Sequence, residues 1–190
     1  MKNKLKFLII LFFTNFLMIE NSFSKEMSFE AGSLTYDKNL NILIGENRVI
    51  IKDGQGLTIT ADRFQYNKTL LIFDLTGDIK LIDKKNKIKI ITEKLSYDEN
   101  KDIILSNTFT STEIENNYLI KTNNLEYFRN ESKITSNKES YLKDNLNNTV
   151  KIKEFNYDIS NKNIKAKKIN LTDYDNSNYL INDVIIDLKL

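Results

Sequence analysis

Apolar and polar residues alternate along most of this 190-residue chain. In the stretch from 71 to 81, the odd positions hold apolar residues or glycine, and the even positions from 74 to 80 hold polar or charged residues. Successive side chains of a β-strand point to opposite faces of its sheet, so this alternation predicts a long strand with one buried face. Turn-forming strings such as Asp53-Gly54-Gln55-Gly56 separate these stretches, and no segment after Ser24 has apolar residues at helical spacing over several turns. The chain is therefore predicted to be all-β.

The alternating stretches recur with a fixed period. A tyrosine returns at steps of 30, 31, 30 and 30 residues, and each tyrosine has an apolar residue two positions and seven positions before it. These tyrosines are Tyr36, Tyr66, Tyr97, Tyr127 and Tyr157. A sixth copy keeps Leu180 and Ile185 but has Asp187 at the tyrosine position. Self-similarity at a fixed period predicts one supersecondary unit that is stacked several times.

The alternation changes parity just before each tyrosine. In the second copy, Leu57, Ile59 and Ala61 share one parity, whereas Phe64 and Tyr66 share the other. Such a shift would turn the apolar set to the wrong face unless a bulge or bend corrects it. The same change predicts kinks at Ala61-Asp62, Thr92-Glu93, Thr122-Asn123 and Ile152-Lys153. Because these kinks stack at the same place in every repeat, they predict a sheet folded along one crease, with its apolar faces inside.

The first 24 residues have the order of a secretory signal peptide. Lys2, Lys4 and Lys6 lie at the start of a mostly apolar run from Leu5 to Ile19, and Ser22-Phe23-Ser24 supplies small residues for cleavage. The run is shorter than the roughly 20 residues that a membrane-spanning helix needs, so cleavage is favoured over a permanent anchor. Residues 25–190 would then form one exported domain, and with either outcome this domain lies outside the cytoplasm.

Charge and composition exclude several classes of function. The formal net charge of +2 comes from residues 1–24, which carry three Lys and one Glu, so residues 25–190 are neutral. Nucleic-acid binders need a net or clustered basic face, which this sequence does not offer. The chain has no Cys for disulfides and no His, which removes His bases and the usual zinc sites. We predict a protein that is not an enzyme and that needs no cofactor and no metal.

Carboxylates are the remaining candidates for catalysis. Asp37 with Glu46, or Asp98 with Asp102, could be imagined as the acid pair of a glycosidase. These residues lie in turn-rich strings, where Asp is favoured because its side chain bonds the nearby backbone. Residues 173–178 resemble the start of a calcium loop but lack its glycine and its bidentate acid. All of these acids are therefore predicted to be structural turn residues.

The repeat elements resemble a known family. The segments 29–37, 45–49 and 57–66 are similar in order and spacing to the OstA/LptA-type domain. Gly77-Asp78-Ile79-Lys80-Leu81 repeats the family's GNV-x-L element, and the segment 90–97 repeats its A-D-x-L-x-Y element. The family includes the periplasmic bridge protein LptA, the anchored LptC and the N-terminal domain of the outer-membrane protein LptD.

The resemblance is strong over residues 27–98 and fades to a bare ladder of apolar positions over residues 99–190. In this second part, Ser106 and Ser136 stand where the glycine of the GNV-x-L element is expected. The signal peptide, the order of the elements and their period together make the match more specific than any one element.

The resemblance implies a twisted, V-shaped β-jellyroll that is open along one side and transports lipopolysaccharide across the periplasm. In this family the acyl chains of lipid A lie in an apolar trough between the two sides. The positions expected to line that trough are Ile59, Phe64, Leu71, Phe73, Leu75, Ile90, Leu95, Ile120, Leu125, Val150 and Phe155. For any single one of them, packing within a core is the simpler interpretation, since apolar stripes are normally core.

The two ends of the stack predict how the domain meets its partners. Residues 27–36 and 184–190 are expected to form open edge strands, and an unpaired edge accepts a further strand. Because the two ends differ, we expect head-to-tail association, either with itself or with other jellyroll proteins of the transport system at the inner and outer membranes.

Two classes of function remain open. One is a lipid-conducting bridge in the periplasm, and the other is a purely structural β-repeat scaffold. Within the first class, the residues do not separate an LptA-type protein from the N-terminal periplasmic domain of an LptD-type assembly protein, which would be associated with the outer membrane. An LptC-type protein is less favoured, because the N-terminal run is typical of a cleaved segment.

Overall fold

The computed structural model of this protein describes residues 27–146, 148–172 and 178–188. The expected signal peptide and residues 173–177 of the predicted turn lie outside these residues. The described strands are β1 (Ser28–Glu30), β2 (Ser33–Asp37), β3 (Ile42–Lys52), β4 (Leu57–Asn67), β5 (Ile72–Asp83), β6 (Ile88–Asp98), β7 (Ile103–Ser106), β8 (Thr110–Ile114), β9 (Tyr118–Thr122), β10 (Leu125–Phe128), β11 (Lys133–Ser136), β12 (Ser140–Lys143), β13 (Thr149–Asp158), β14 (Asn163–Thr172) and β15 (Asn178–Asp187). No helix in the described ranges is long and apolar enough to cross a membrane.

All of these strands belong to one antiparallel sheet. The long strands β3 to β6 pair in sequence order, each with the next. Beyond β6, two short strands take the place of one long strand at several positions of the sheet. β6 pairs with β7 near its C-terminal end and with β8 near its N-terminal end. β13 joins β11 and β12 in the same way, and β14 and β15 follow as long strands. The prediction of an all-β fold of repeated antiparallel strands is confirmed.

The predicted kinks coincide with irregularities in the ladders. Register shifts interrupt the long strands at 46–49, 60–63 and 76–79. The split between β9 and β10 follows Thr122, and the β13–β14 ladder skips Lys153 opposite Lys168, which has a φ of 53°. A bulge re-aims the side chains that follow it, which lets both apolar parities face the same side of the fold. The crease predicted from the parity change is thus confirmed.

The crease divides the sheet into two halves that face each other. Half-sheet A contains β1, β8, β9 and β12, half-sheet B contains β2, β7, β10 and β11, and each long strand contributes to both. Phe29 in β1 pairs with Ile51 on half-sheet A, yet its ring centroid lies 5.8 Å from that of Phe64 and 6.5 Å from that of Phe73, both on half-sheet B. The inward side chains of both halves form one buried cluster. The sheet is therefore folded into a V with an apolar interior.

The turns of the half-sheets form two rims opposite the crease. Rim A includes the turns 53–56, 84–87 and 115–117, and rim B includes the turns 38–41, 68–71, 99–102, 129–132 and 159–162. Successive turns of a rim are hydrogen bonded to each other: the Lys68 N–H donates to the Asn41 carbonyl at 3.1 Å, and the Arg129 N–H donates to the Asp102 carbonyl at 3.0 Å. Each rim is thus a continuous line along the stack. We call the space between the two rims the mouth.

The two ends of the sheet are the predicted edges. Among the described residues, β1 and β2 pair only with β3, and β15 pairs only with β14. The final strand begins at Asn178, earlier than the alternation at 184–190 indicates, and it ends at Asp187. Residues 189 and 190 lie outside the described ranges.

Candidate functional site

The residues expected to line a lipid trough all lie in or beside the interior of the V. Nine of the eleven are at most 4% exposed: Ile59, Phe64, Phe73, Leu75, Ile90, Leu95, Ile120, Leu125 and Phe155. Val150 is half-buried against the same cluster. Leu71 is also half-buried, but it lies in a turn of rim B with a φ of 57° instead of in the strand that the alternation indicates. The fold therefore brings the predicted residues together, and their role in lipid binding stays a prediction.

One inward row of residues runs through half-sheet B from end to end. Its members are cross-strand partners: Tyr36, Leu43, Tyr66, Phe73, Tyr97, Ile104, Tyr127, Ile134, Tyr157, Ile164 and Ile186. We call this set the inner row. The tyrosines that mark the sequence period are every second member of the inner row, because each repeat contributes two neighbouring strands to half-sheet B. The repeat thus produces an uninterrupted apolar and aromatic surface along the stack.

The interior is filled by its own side chains. The rings of Tyr66 and Phe73 are stacked, with centroids 4.0 Å apart and an angle of 12° between their planes. Gly45 is buried under the ring of Phe64, so close that an added Cβ would collide with that ring. Glycine at this position of the family-like element is therefore explained by the close approach of an aromatic ring.

Part of the inner surface is exposed to solvent at the N-terminal end of the stack. Leu34 and Tyr36 belong to inward-facing positions of β2, where they pair with Gly45 and Leu43. They are nevertheless 51% and 45% exposed, because no described strand lies beyond β2 to cover them. The apolar inner surface is therefore accessible from outside at this end.

The tyrosine hydroxyls of the inner row point to the mouth. Tyr66 donates to Glu99 at 3.0 Å, Tyr97 donates to Asp102 at 2.9 Å, and Tyr127 donates to Asp83 at 2.7 Å. Burial, and then the bond to Glu99, raises the pKa of Tyr66 to about 12. Burial likewise holds the pKa values of Tyr97 and Tyr127 well above the ordinary value, with the nearby carboxylates adding to the effect. These phenols therefore remain protonated donors at physiological pH.

A buried ion cluster lies in the mouth. Arg129, on rim B, donates through Nη2 to Asp53 at 2.8 Å, through Nε to Asp83 at 3.1 Å and through Nη1 to Asp102 at 2.7 Å. The Arg129 side chain is 5% exposed, and the three carboxylates are between 0% and 7% exposed. Asp102 lies on rim B with Arg129, whereas Asp53 and Asp83 lie on rim A. The guanidinium therefore joins the two rims.

The carboxylates of rim A are also anchored to their own turns. Asp53 accepts the N–H groups of Gln55 and Leu57 through Oδ1, at 2.8 and 2.9 Å. Burial raises the pKa of the Asp83 carboxyl, but the bonds from Tyr127, the Asn86 backbone and Arg129, with the charge of Arg129, outweigh that effect. The pKa of Asp83 therefore lies below its ordinary value, and its charged form is the stable one in the folded protein.

A second ion pair crosses the mouth nearer the C-terminal end. The Lys162 ammonium on rim B lies 3.0 Å from Glu115 on rim A. Both side chains are partly exposed, so this pair is screened by water and contributes less to stability than a buried pair. In addition, the Asn86 side-chain amide on rim A donates to the Tyr127 hydroxyl at 2.6 Å.

Buried hydroxyls follow the crease where the strands are split. The Thr92 and Ser106 hydroxyls are 2.9 Å apart, and those of Thr122 and Ser136 are 2.8 Å apart. Ser106 and Ser136 are the residues that replace the expected glycine of the family-like element. Their hydroxyls satisfy polar groups that would otherwise be buried without partners beside the strand breaks.

The acids considered for catalysis have structural surroundings. Asp37 accepts the N–H groups of Asn39 and Leu40, and Asp98 accepts that of Lys101, as expected for turn residues. The described residues contain no group of acids placed to hold a metal ion. Two of these acids differ from the prediction: the Asp102 carboxylate bonds Arg129, and Glu46 lies in β3, where it is 3.4 Å from Arg63.

Arg129 was not singled out by any pattern in the sequence. One signal was available: it is one of three Arg residues among 28 Lys and Arg, so an Arg is uncommon in this chain. Arginine is the cation that can bond several carboxylates at once through its planar fork, so its use in a Lys-rich chain indicates a special site.

Comparison with known proteins gives structural likenesses and no match of sequence. No family model matches the chain, and no curated protein matches it. Among solved structures, it is similar to LptH from Pseudomonas aeruginosa, described as the LptA homologous periplasmic component of a lipopolysaccharide transport device. The identity is 10% over 87% of this chain and 96% of that one, with a TM-score of 0.32.

A second likeness is to the TCP10 domain of Danio rerio CPAP in complex with a STIL peptide. The identity is 9% over 84% of this chain and 99% of that one, with a TM-score of 0.16. The first likeness names the family that the sequence elements resemble. At these TM-scores neither likeness carries an argument, and the function has to be argued from the residues of this chain.

Proposed function

We propose that this protein binds lipopolysaccharide between its two half-sheets and carries it across the periplasm towards the outer membrane. The observation that carries the proposal is the inner row, which is apolar or aromatic at every position from Tyr36 to Ile186. At the usual spacing of neighbouring strands, a row that crosses eleven strands extends for about 50 Å. A surface of this kind suits the acyl chains of a large amphiphile better than a small polar ligand.

Two further features support the proposal. The order and period of the sequence elements resemble those of the OstA/LptA-type family, whose members handle this lipid. The N-terminal segment is typical of an export signal, and removal of residues 1–24 would release the domain into the periplasm.

Photo-crosslinking at the N-terminal end tests this function. A benzoylphenylalanine placed at Leu34 or at Tyr36 is expected to label purified lipopolysaccharide, because both positions are inward-facing and exposed. The same group at Thr35 points to the opposite face of the same strand, and we expect little labelling there. Labelling at Thr35 that equals or exceeds labelling at Leu34 and Tyr36 would contradict binding at the inner surface.

A structural scaffold is the second candidate, and one observation favours it. Most of the predicted trough residues are at most 4% exposed, and ion pairs bridge the mouth, as in a domain whose interior serves only as its core. A scaffold would copurify with no lipid and would give no labelling at any of the three crosslinking positions. Lipid analysis of the purified chain therefore separates the two candidates.

We also propose that the domain associates end to end through its edge strands. Leu180 and Ile185 of β15 are 67% and 68% exposed, and β15 has a strand partner on one side only within the described part of the chain. Lys at both positions is expected to give a folded monomer with weaker assembly, because charges on an edge strand oppose the addition of another strand. Sedimentation over a range of concentrations measures this effect.

Ile91→Lys is the matched control for that experiment. Ile91 is 49% exposed but belongs to β6, which has neighbours on both sides. Assembly that falls equally in this variant and in the edge variant would indicate general solubility instead of an edge contact.

A further inference from the structure

The buried cluster in the mouth joins two parts of the fold that the sheet itself connects only through the crease. Arg129 is on rim B, and Asp53 lies 76 residues earlier in the chain on rim A. Asp83 is also on rim A, and Tyr127 of half-sheet B donates to the same carboxylate oxygen as Arg129. Buried ion pairs and a buried hydrogen bond therefore cross the mouth.

The same guanidinium also bonds one carboxylate that does not cross the mouth. Asp102 lies on rim B, and its carbonyl accepts the Arg129 backbone N–H, so this acid and Arg129 move with the same half-sheet. The cluster thus contains two kinds of ion pair of similar burial, one between the rims and one within a rim. This difference allows a structural role to be separated from a role in holding the halves together.

We propose that Arg129 is a latch that closes the mouth by binding Asp53 and Asp83, and that its release lets the half-sheets part and exposes the apolar interior. Access to the interior from the side then requires the crossing bonds to break first. The exposed pair Lys162–Glu115 adds a weaker closure nearer the C-terminal end. The inference rests on the proposed function only for what enters the interior, and the opening itself can be measured without lipid.

Release of the latch is expected to be a local event. The crossing contacts lie in turns or at the ends of strands, and the ladders on either side of the mouth are complete without them. Local openings that leave the rest of a fold intact need less free energy than global unfolding and expose less surface. An opening of the mouth should therefore have its own rate and a small dependence on denaturant.

A single cysteine can report the opening, because the natural chain has none. Leu81→Cys places a thiol on half-sheet A that is fully buried and two residues before Asp83. Its reaction with a thiol reagent, measured in increasing urea below the unfolding transition, gives the free energy of opening and its denaturant dependence. This reporter is present in all of the variants compared.

Asp53→Asn tests the crossing bond. The Asn side chain keeps an oxygen for the Gln55 and Leu57 N–H groups but presents an amide group to Arg129 in place of Oδ2. We expect labelling without urea to be about tenfold faster or more, since hydrogen bonds to charged groups are among the stronger ones. Most of this gain should persist at low urea, as expected for a local opening.

Asp102→Gly is the control, because it removes the carboxylate that shares a rim with Arg129. Asp102 has a φ of 56°, which glycine adopts without strain. This variant should lose stability in a urea melt but show little labelling beyond what its global unfolding explains. If Asp53→Asn does not fold, Arg129→Lys replaces it, since an ammonium keeps the charge but lacks the planar five-donor fork that arginine presents to the carboxylates.

Equal labelling of the crossing variant and the control at matched stability would overturn the latch. The latch would also be overturned if global unfolding fully accounted for the thiol labelling rate of Asp53→Asn. The proposed function can fail separately: if the mouth opens in Asp53→Asn and no variant crosslinks to lipopolysaccharide, the latch stands and the lipid role falls. If the wild-type chain crosslinks to lipopolysaccharide but the mouth does not open in Asp53→Asn, the lipid role stands and the latch falls.

Discussion

Phe73→Asp is expected to leave the chain unfolded. Phe73 is fully buried, and its ring stacks on that of Tyr66. Its ring centroid also lies within 6.5 Å of the centroids of three further rings. Loss of such a ring typically lowers the free energy of unfolding by about 3–5 kcal/mol, and a carboxylate without partners in the core adds a large desolvation penalty. Small domains have only about 5–15 kcal/mol of stability. Circular dichroism and a urea melt at neutral pH measure the result.

Thr76→Asp is the control for that substitution. Thr76 is an exposed residue of the same strand, and its cross-strand partners are Arg63 and Lys94. An acid between two cations on the outer face should leave the melt almost unchanged. A cooperative melt of Phe73→Asp within a few degrees of the wild type would mean that the interior is open to water at this position.

Arg129→Met is expected to lower the free energy of unfolding by about 3–5 kcal/mol at neutral pH, the usual loss when one member of a buried ion pair is removed. Methionine fills much of the space of the arginine stem but leaves Asp53, Asp83 and Asp102 without their cation. Arg129→Lys keeps one positive charge and should lose less. Chemical denaturation of the three proteins ranks them.

The loss caused by Arg129→Met should depend on pH. In the wild type the pKa of Asp83 is lowered, so its contribution to stability is present above the ordinary pKa of 3.8 and is lost as the pH falls. Without Arg129, two of the causes that lower this pKa are lost, so the pKa of Asp83 rises from its wild-type value and the variant gains less stability as the pH rises. The difference between the two proteins should therefore be smallest in acid and largest at neutral pH. A constant difference from pH 3 to pH 7 would contradict this account of the cluster.

The sequence alone determined the strands, their faces and the crease. Alternation through 71–81 predicted which side of β5 is buried, and the parity change after Ala61 predicted the bulge between β4 and β5. These features are predictable because side-chain direction in a strand depends only on the next few residues. The tyrosine period likewise predicted stacking, since each copy makes the same contacts with its neighbours.

The sequence also indicated which residues share the interior, but not how they fill it. Nearly all of the eleven predicted trough residues have a place in the core, and Leu71 was assigned to a strand although it lies in a turn of rim B. The alternation does not mark where a strand begins, because a turn residue with positive φ continues the same parity. The stacking of Tyr66 on Phe73 and the fit of Gly45 under Phe64 depend on side-chain shapes in neighbouring strands.

Only the tertiary structure decided how the mouth is closed. Asp53 and Asp102 are turn residues in any local pattern, and Arg129 is one cation among many in a chain rich in Lys. Their meeting requires the two rims to come within bonding distance, with turns from different repeats opposite each other. That alignment is set by the angle of the crease and the twist accumulated along the stack, which are sums over many strands. No local stretch of sequence specifies such a sum, so a contact between residues 76 apart appears only once the whole sheet has folded.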